Sequence, residues 1–192
     1  MVYGTMNMER STDNSHIFIL DSNDSEPRIL VQNVCITNGP TWSLDGKTFY
    51  YVDSMNPPVY ACDYDLENGT LSNKRVFCES NELTTMAFDG ATIDTQGFLW
   101  WAIFGGSKIV RINPADGKIE RYIDLSAYSI ERPTSCAFGG DDYRTMIITS
   151  ECWHPSGPSD LRGVGNHGGV CLITFDESEG IQGRQPDFWN AD

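Results

Sequence analysis

The sequence has no long hydrophobic run. No stretch approaches 18 consecutive apolar residues, so no membrane-spanning helix is expected and no membrane is predicted as a partner. It is poor in basic residues. Only 13 Lys and Arg stand against 27 Asp and Glu, a formal net charge of −14 over 192 residues. Nucleic acids need a basic footprint, so they are excluded as expected partners. The acid excess suits a cation-binding or well-solvated surface instead. No two of the six cysteines form a Cys-x-x-Cys pair, which removes a zinc ribbon or thioredoxin-type motif. The three histidines are scattered, and no Gly-x-Ser-x-Gly nucleophile elbow occurs. Met1 to Asn14 is mostly polar without a signal-peptide pattern, so a cytoplasmic location with reduced thiols is the expectation. No apolar stripe of helical period exceeds two turns, so almost no helix is predicted.

What remains is strand. Short β-rich runs recur between clusters of Gly, Asp, Asn, Pro and Ser: His16–Leu20, Arg28–Val31, Thr48–Val52, Val59–Cys62, Phe98–Ile103, Lys108–Ile112, Thr145–Thr149 and Val170–Phe175. They fall into a repeat. One unit reads Asn38-Gly-Pro-Thr-Trp-Ser-Leu-Asp-Gly46, then an aromatic strand. The next reads Phe88-Asp-Gly-Ala-Thr-Ile-Asp-Thr-Gln-Gly97, then another. A third begins Pro133-Thr-Ser-Cys-Ala-Phe-Gly-Gly140. Equivalent points at Asn38, Asp89 and Ser135 lie 51 and 46 residues apart. A period near 50 with about four strands per repeat predicts the blades of a β-propeller. The expected divisions are the remainder of a blade over 1–34, successive blades over 35–85, 86–132 and 133–180, and a C-terminal segment over 181–192. The long Gly- and Pro-rich stretch from Glu151 to Gly169 reads as a loop within the last blade.

Polar residues that open the first strand of successive blades converge on a propeller's channel. Asn38 and Asp89 stand there, each followed by Gly, and both offer hard oxygen ligands suited to Ca²⁺. Asn-Gly and Asp-Gly are also ordinary turn dipeptides, so the pattern alone leaves the metal reading open. Gly163-Val-Gly-Asn-His-Gly168 matches Gly-x-Gly-x-x-Gly, but a strand rather than a helix is expected after it, which rejects a dinucleotide site. Trp100 and Trp101 are adjacent on a strand and point to opposite faces, so both read as packing residues.

Taken in order, Asn38-Gly-Pro-Thr-Trp, Tyr51-Val-Asp-Ser54, Asp63-Tyr-Asp65, Phe88-Asp-Gly-Ala-Thr-Ile-Asp, Gly97-Phe-Leu-Trp and Thr134-Ser-Cys-Ala-Phe-Gly-Gly140 resemble the regucalcin, or senescence marker protein, gluconolactonase and luciferin-regenerating enzyme, family. The resemblance implies an all-β, six-bladed β-propeller, of which this sequence would supply about four blades. It implies one divalent cation, Ca²⁺ or Zn²⁺, in a central channel, and hydrolysis of a small-molecule sugar lactone. By the same resemblance Asn38 and Asp89 are metal ligands and Asp89 is also the catalytic base. The opening Gly4-Thr-Met-Asn7 resembles the family's Gly-Thr-Met segment, which makes Glu9 the residue expected to contact substrate. The family's third ligand, a Glu of the first blade, has no counterpart here, nor has its Arg-x-Asn-Asp-Gly motif. That reads as an N-terminally truncated member, with weakened cation binding and weak or absent turnover. A non-catalytic calcium-binding regulator and an inactive propeller fragment are the alternatives. Self-association through an exposed propeller edge is a further expectation. The family's usual Pro before Asp-Gly is Phe88 here, which implies a different loop presenting Asp89.

Overall fold

The computed structural model describes residues 1–6, 14–20, 26–56, 58–79, 87–151 and 168–185. Glu9, Cys152, His154, His167 and most of the Gly163–Gly168 motif lie outside the described residues. The chain divides into two compact units, one of residues 1–80 with 185–192 and one of residues 81–184.

The first unit holds two antiparallel sheets. In one, β1 (Val2–Gly4), β2 (Ser15–Ile19) and β3 (Arg28–Val34) pair in chain order. In the other, β4 (Thr37–Trp42), β5 (Thr48–Asp53), β6 (Val59–Asp65) and β7 (Thr70–Cys78) form a four-stranded meander. Its core is aromatic. Phe49 and Tyr51 alternate onto one face of β5 and pack with Ile17 and Cys62. The Trp42 ring lies 4.8 Å from that of Phe49, centroid to centroid. The two sheets meet tightly at Gly4. A Cβ there would come within 2.5 Å of the Thr37 Cβ, so only glycine fits.

The second unit repeats the plan. A four-stranded sheet runs β8 (Ala87–Ile93), β9 (Leu99–Phe104), β10 (Lys108–Ile112) and β11 (Ile119–Asp124). A three-stranded sheet follows, β12 (Pro133–Gly139), β13 (Thr145–Ser150) and β14 (Val170–Thr174). Trp100, Ala102 and Ile109 pack with Cys136, Met146, Ile148 and Phe175 across the two sheets. Trp100 and Trp101 are both fully buried, on opposite faces of β9. Among the described residues the only helical turns are two short 3₁₀ segments, Ser126–Tyr128 and Glu177–Glu179. No helix among them is long and apolar enough to cross a membrane.

All eight strand runs read from the sequence are strands. Strands β4 and β8 are the first strands that Asn38 and Asp89 were expected to open, β12 opens the third repeat, and β1, β7 and β11 are additional. Polarity hid β7 and β11: β7 reads Thr-Leu-Ser-Asn-Lys-Arg-Val-Phe-Cys and is exposed along most of its length. Strand β6 continues through Asp65, beyond the apolar run that ends at Cys62. β13 and β14 are hydrogen-bonded neighbours, so the Gly- and Pro-rich segment between them joins adjacent strands of one sheet. A strand does follow Gly168, which removes the context a dinucleotide motif needs. None of the five described cysteines forms a disulfide. Burial raises the thiols of Cys62, Cys78 and Cys136, that of Cys78 to about 11, far from a reactive thiolate.

Candidate active site

Asn38 and Asp89 each lie where the first strand of a four-stranded sheet loses register. The β4–β5 ladder shifts between Asn38 and Thr41, and the β8–β9 ladder shifts between Phe88 and Ala91. An extra residue in one strand bends it and re-aims its side chains, and such bulges are common beside active sites. Asn38 flanks its bulge and pairs with Val52, while Asp89 falls inside its own.

The glycine after each residue serves a different purpose. Gly39 has φ 56°, a left-handed conformation that glycine adopts at no steric cost. Gly90 has no positive φ. A Cβ at Gly90 would come within 2.6 Å of Ser135 Cβ and 2.9 Å of its Cα. Of the two, only Gly39 has the left-handed backbone that turn dipeptides use. Gly90 lets β8 lie directly against β12.

Asn38 is half-buried and its Nδ2 donates to Ser54 Oγ at 2.8 Å. With the amide nitrogen so engaged, Oδ1 is the atom left to coordinate a cation. Asp89 is also half-buried. Phe88 fills the core in front of it and meets the Trp101 ring edge to face at 5.9 Å. Trp101 Nε1 in turn donates to the Asp89 backbone carbonyl at 2.9 Å. Phe88 therefore anchors the bulge through Trp101. Burial pushes the Asp89 carboxyl up to about 6. The nearby Glu151 charge adds to the rise, and a hydrogen bond from the Gly90 backbone opposes it.

Glu151 was not among the residues expected from the sequence. It follows β13 directly and accepts from Arg132 Nη1 at 2.9 Å, while its own backbone N–H donates to the Arg132 carbonyl at 2.9 Å. The sequence alone does not show it. Pro133 pairs with Ser150, so antiparallel pairing of β12 and β13 sets Arg132 opposite Glu151. Asp94, just past the end of β8, is a different kind of carboxylate. It is fully buried and accepts from Arg111 Nη2 at 2.7 Å, Arg111 Nε at 2.9 Å and Trp100 Nε1 at 3.0 Å. The backbone N–H groups of Gln96 and Phe98 complete it at 3.0 Å each. Asp53 plays the same part in the first unit, bonded to the backbone N–H groups of Cys35 and Ile36 and to Asn56 Nδ2. Both hold strand junctions together.

Among the described residues no three or more His, Cys, Asp and Glu side chains form a group able to hold a metal. The donors that are present are still of the right chemistry for a hard divalent cation. They are an amide oxygen fixed by its own nitrogen's hydrogen bond, and a carboxylate crowded by a second negative charge.

The sequence profile of the SMP-30/Gluconolactonase/LRE-like region matches residues 1–151. The chain belongs to this family. Regucalcin of Danio rerio is 42% identical over 149 residues, covering 77% of this chain and 49% of that protein. A crystallographic luciferin-regenerating enzyme superposes with a TM-score of 0.80 at 28% identity, covering 95% of this chain and 59% of that one. A calcium-binding protein, regucalcin, from Agrobacterium tumefaciens gives the same TM-score of 0.80 at 23% identity, over 94% of this chain and 58% of that one. The chain spans about half the length of the curated regucalcin it matches. The all-β fold of antiparallel sheets is thus that of a propeller family, as the repeat predicted.

Proposed function

We propose that the protein is a cation-dependent sugar-lactone hydrolase of the gluconolactonase and regucalcin type. The observation that carries the reading is Asp89. A carboxylate is held half-buried inside a β-bulge, next to a glycine that cannot be replaced without displacing β12, in a segment that belongs to this family. Asp53 and Asp94 are fully used by backbone and side-chain donors, whereas Asp89 has burial and a neighbouring acid against it. Such perturbed groups gather at functional sites.

By the family resemblance, Asn38 and Asp89 are each proposed as a ligand of one divalent cation, Ca²⁺ first and Zn²⁺ second. When bound, the cation supplies Lewis-acid polarisation of the lactone carbonyl and stabilises the charge that develops on its oxygen. Asp89 accepts a proton from the attacking water. Without a cation its pKa is about 6, so it is ionised at neutral pH. The water oxygen bonds to the carbonyl carbon, the ring C–O bond breaks, and the proton passes to the departing alkoxide. The product is the open hydroxy acid. Glu9 is the proposed contact for the sugar hydroxyls by family resemblance.

The test is hydrolysis of gluconolactone by the purified chain, with Ca²⁺ or Zn²⁺ and with chelator. Cation-dependent turnover that disappears in Asp89→Asn supports the reading. Turnover indifferent to Asp89, or none above background, contradicts it.

A further inference from the structure

The Arg132–Glu151 pair has no part in the mechanism above, yet it is built more firmly than an ordinary surface ion pair. Two links join the residues, the 2.9 Å side-chain bond and the 2.9 Å backbone bond from Glu151 to Arg132. The guanidinium also sits over the Phe104 ring, 5.5 Å from its centroid. Phe104 pairs with Ala87, two residues before Asp89 on β8. On the other side, Gly90 abuts Ser135, which pairs with Thr149, two residues before Glu151. The pair therefore stands at the same end of the two packed sheets as Asp89. The reach of the Glu151 charge to Asp89 agrees with that placement. Both side chains keep solvent access, 29% for Arg132 and 39% for Glu151.

A guanidinium and a carboxylate held side by side place N–H donors next to carboxylate oxygen acceptors. Vicinal hydroxyls present the matching pattern, since each can donate to the carboxylate and accept from the guanidinium. We propose that Arg132 and Glu151 form a polyol subsite that binds ring hydroxyls of the lactone and sets its orientation over Asp89. The inference rests on the lactone-hydrolase reading and names the part of the second unit that would select hydroxylated lactones over bare ones. Glu151 and Arg132 are binding residues in it, and Asp89 alone does the proton chemistry.

The experiment measures binding apart from turnover. Gluconolactam, the ring amide analogue that resists hydrolysis, is titrated by calorimetry into the full chain and into Glu151→Gln and Arg132→Lys. δ-Valerolactam, which has no ring hydroxyls, is the control ligand, and thermal melts confirm that each variant folds. Charge-assisted hydrogen bonds to hydroxyls predict gluconolactam binding about tenfold weaker in each variant, with δ-valerolactam binding unchanged. A pair that only tied β12 to β13 would not distinguish the two ligands. Gluconolactam affinity within twofold of the parent in both variants overturns the subsite, as does equal loss for both lactams or no binding by the parent. If the parent hydrolyses gluconolactone while the variants bind gluconolactam normally, the subsite falls and the lactonase reading stands. If the parent binds gluconolactam selectively but hydrolyses nothing, the opposite holds.

Discussion

The two ends of β8 hold carboxylates in opposite circumstances. Asp94, past one end, is fully buried and surrounded by Arg111, Trp100 and two backbone N–H groups. Asp89, inside the bulge near the other, is half-buried, faces the charge of Glu151, and is raised to about 6. One strand thus carries a carboxylate that the fold uses and one that the fold pushes against. Burial alone does not mark a functional acid. A buried acid with a complete set of donors is structural, and one left short of them is available for chemistry.

Breaking the satisfied end has the largest expected effect on stability. Asp94→Ala strands a mostly buried guanidinium and orphans the Trp100 indole and two backbone donors. A loss of about 3–5 kcal/mol is expected in chemical denaturation. Asp89→Asn should do the reverse for the metal-free protein at pH 7, raising stability by about 1–3 kcal/mol while removing activity. A destabilisation as large as that of Asp94→Ala would erase the contrast.

Proton linkage sharpens the same comparison. The folded protein holds the Asp89 proton more tightly than the unfolded chain, from an ordinary 3.8 to about 6. Between those values the native state binds more protons, so stability falls as pH rises through the window. The cost is complete above the folded value and absent below the unfolded one. A metal-free denaturation series from pH 4 to 7 should show this slope, and Asp89→Asn should flatten it. Excess Ca²⁺ should restore stability at the upper end, because a cation favours the ionised carboxylate.

The smallest effect separates the two glycines. Gly90→Ala forces a methyl into Ser135 and should cost about 1–3 kcal/mol with displacement of the bulge. Gly39→Ala forces a left-handed alanine, at about 1–2 kcal/mol. Lactonase activity should fall further in Gly90→Ala than stability alone explains, since Asp89 moves with the bulge. Equal losses in the two variants would place no special demand on the β8–β12 contact.

Much of this could be read from the residues. The repeat of Gly-marked strand starts and aromatic second strands gave the all-β class, because the first strands need close approach and the second strands make the core. Eight strands were visible as apolar runs. β7 and β11 were not, since outer strands bury little and their polar side chains look like loop. Asn38 and Asp89 were legible as oxygen donors beside glycine. Glu151 and Arg132 were not, since they become neighbours only when β12 and β13 pair. Nor could the sequence rank Asp89 above Asp94, because the ranking depends on which donors each carboxylate finds in the folded chain.

The proposed role of Asp89 is to serve a cation and a lactone. The most direct measurement is initial-rate hydrolysis of gluconolactone by the wild-type chain and Asp89→Asn at saturating Ca²⁺, near pH 7.5. Calcium-dependent turnover is expected, falling by about 10²-fold or more in the variant while its fold is retained. Wild-type and variant rates that coincide, or a wild-type rate equal to the uncatalysed one, would contradict it.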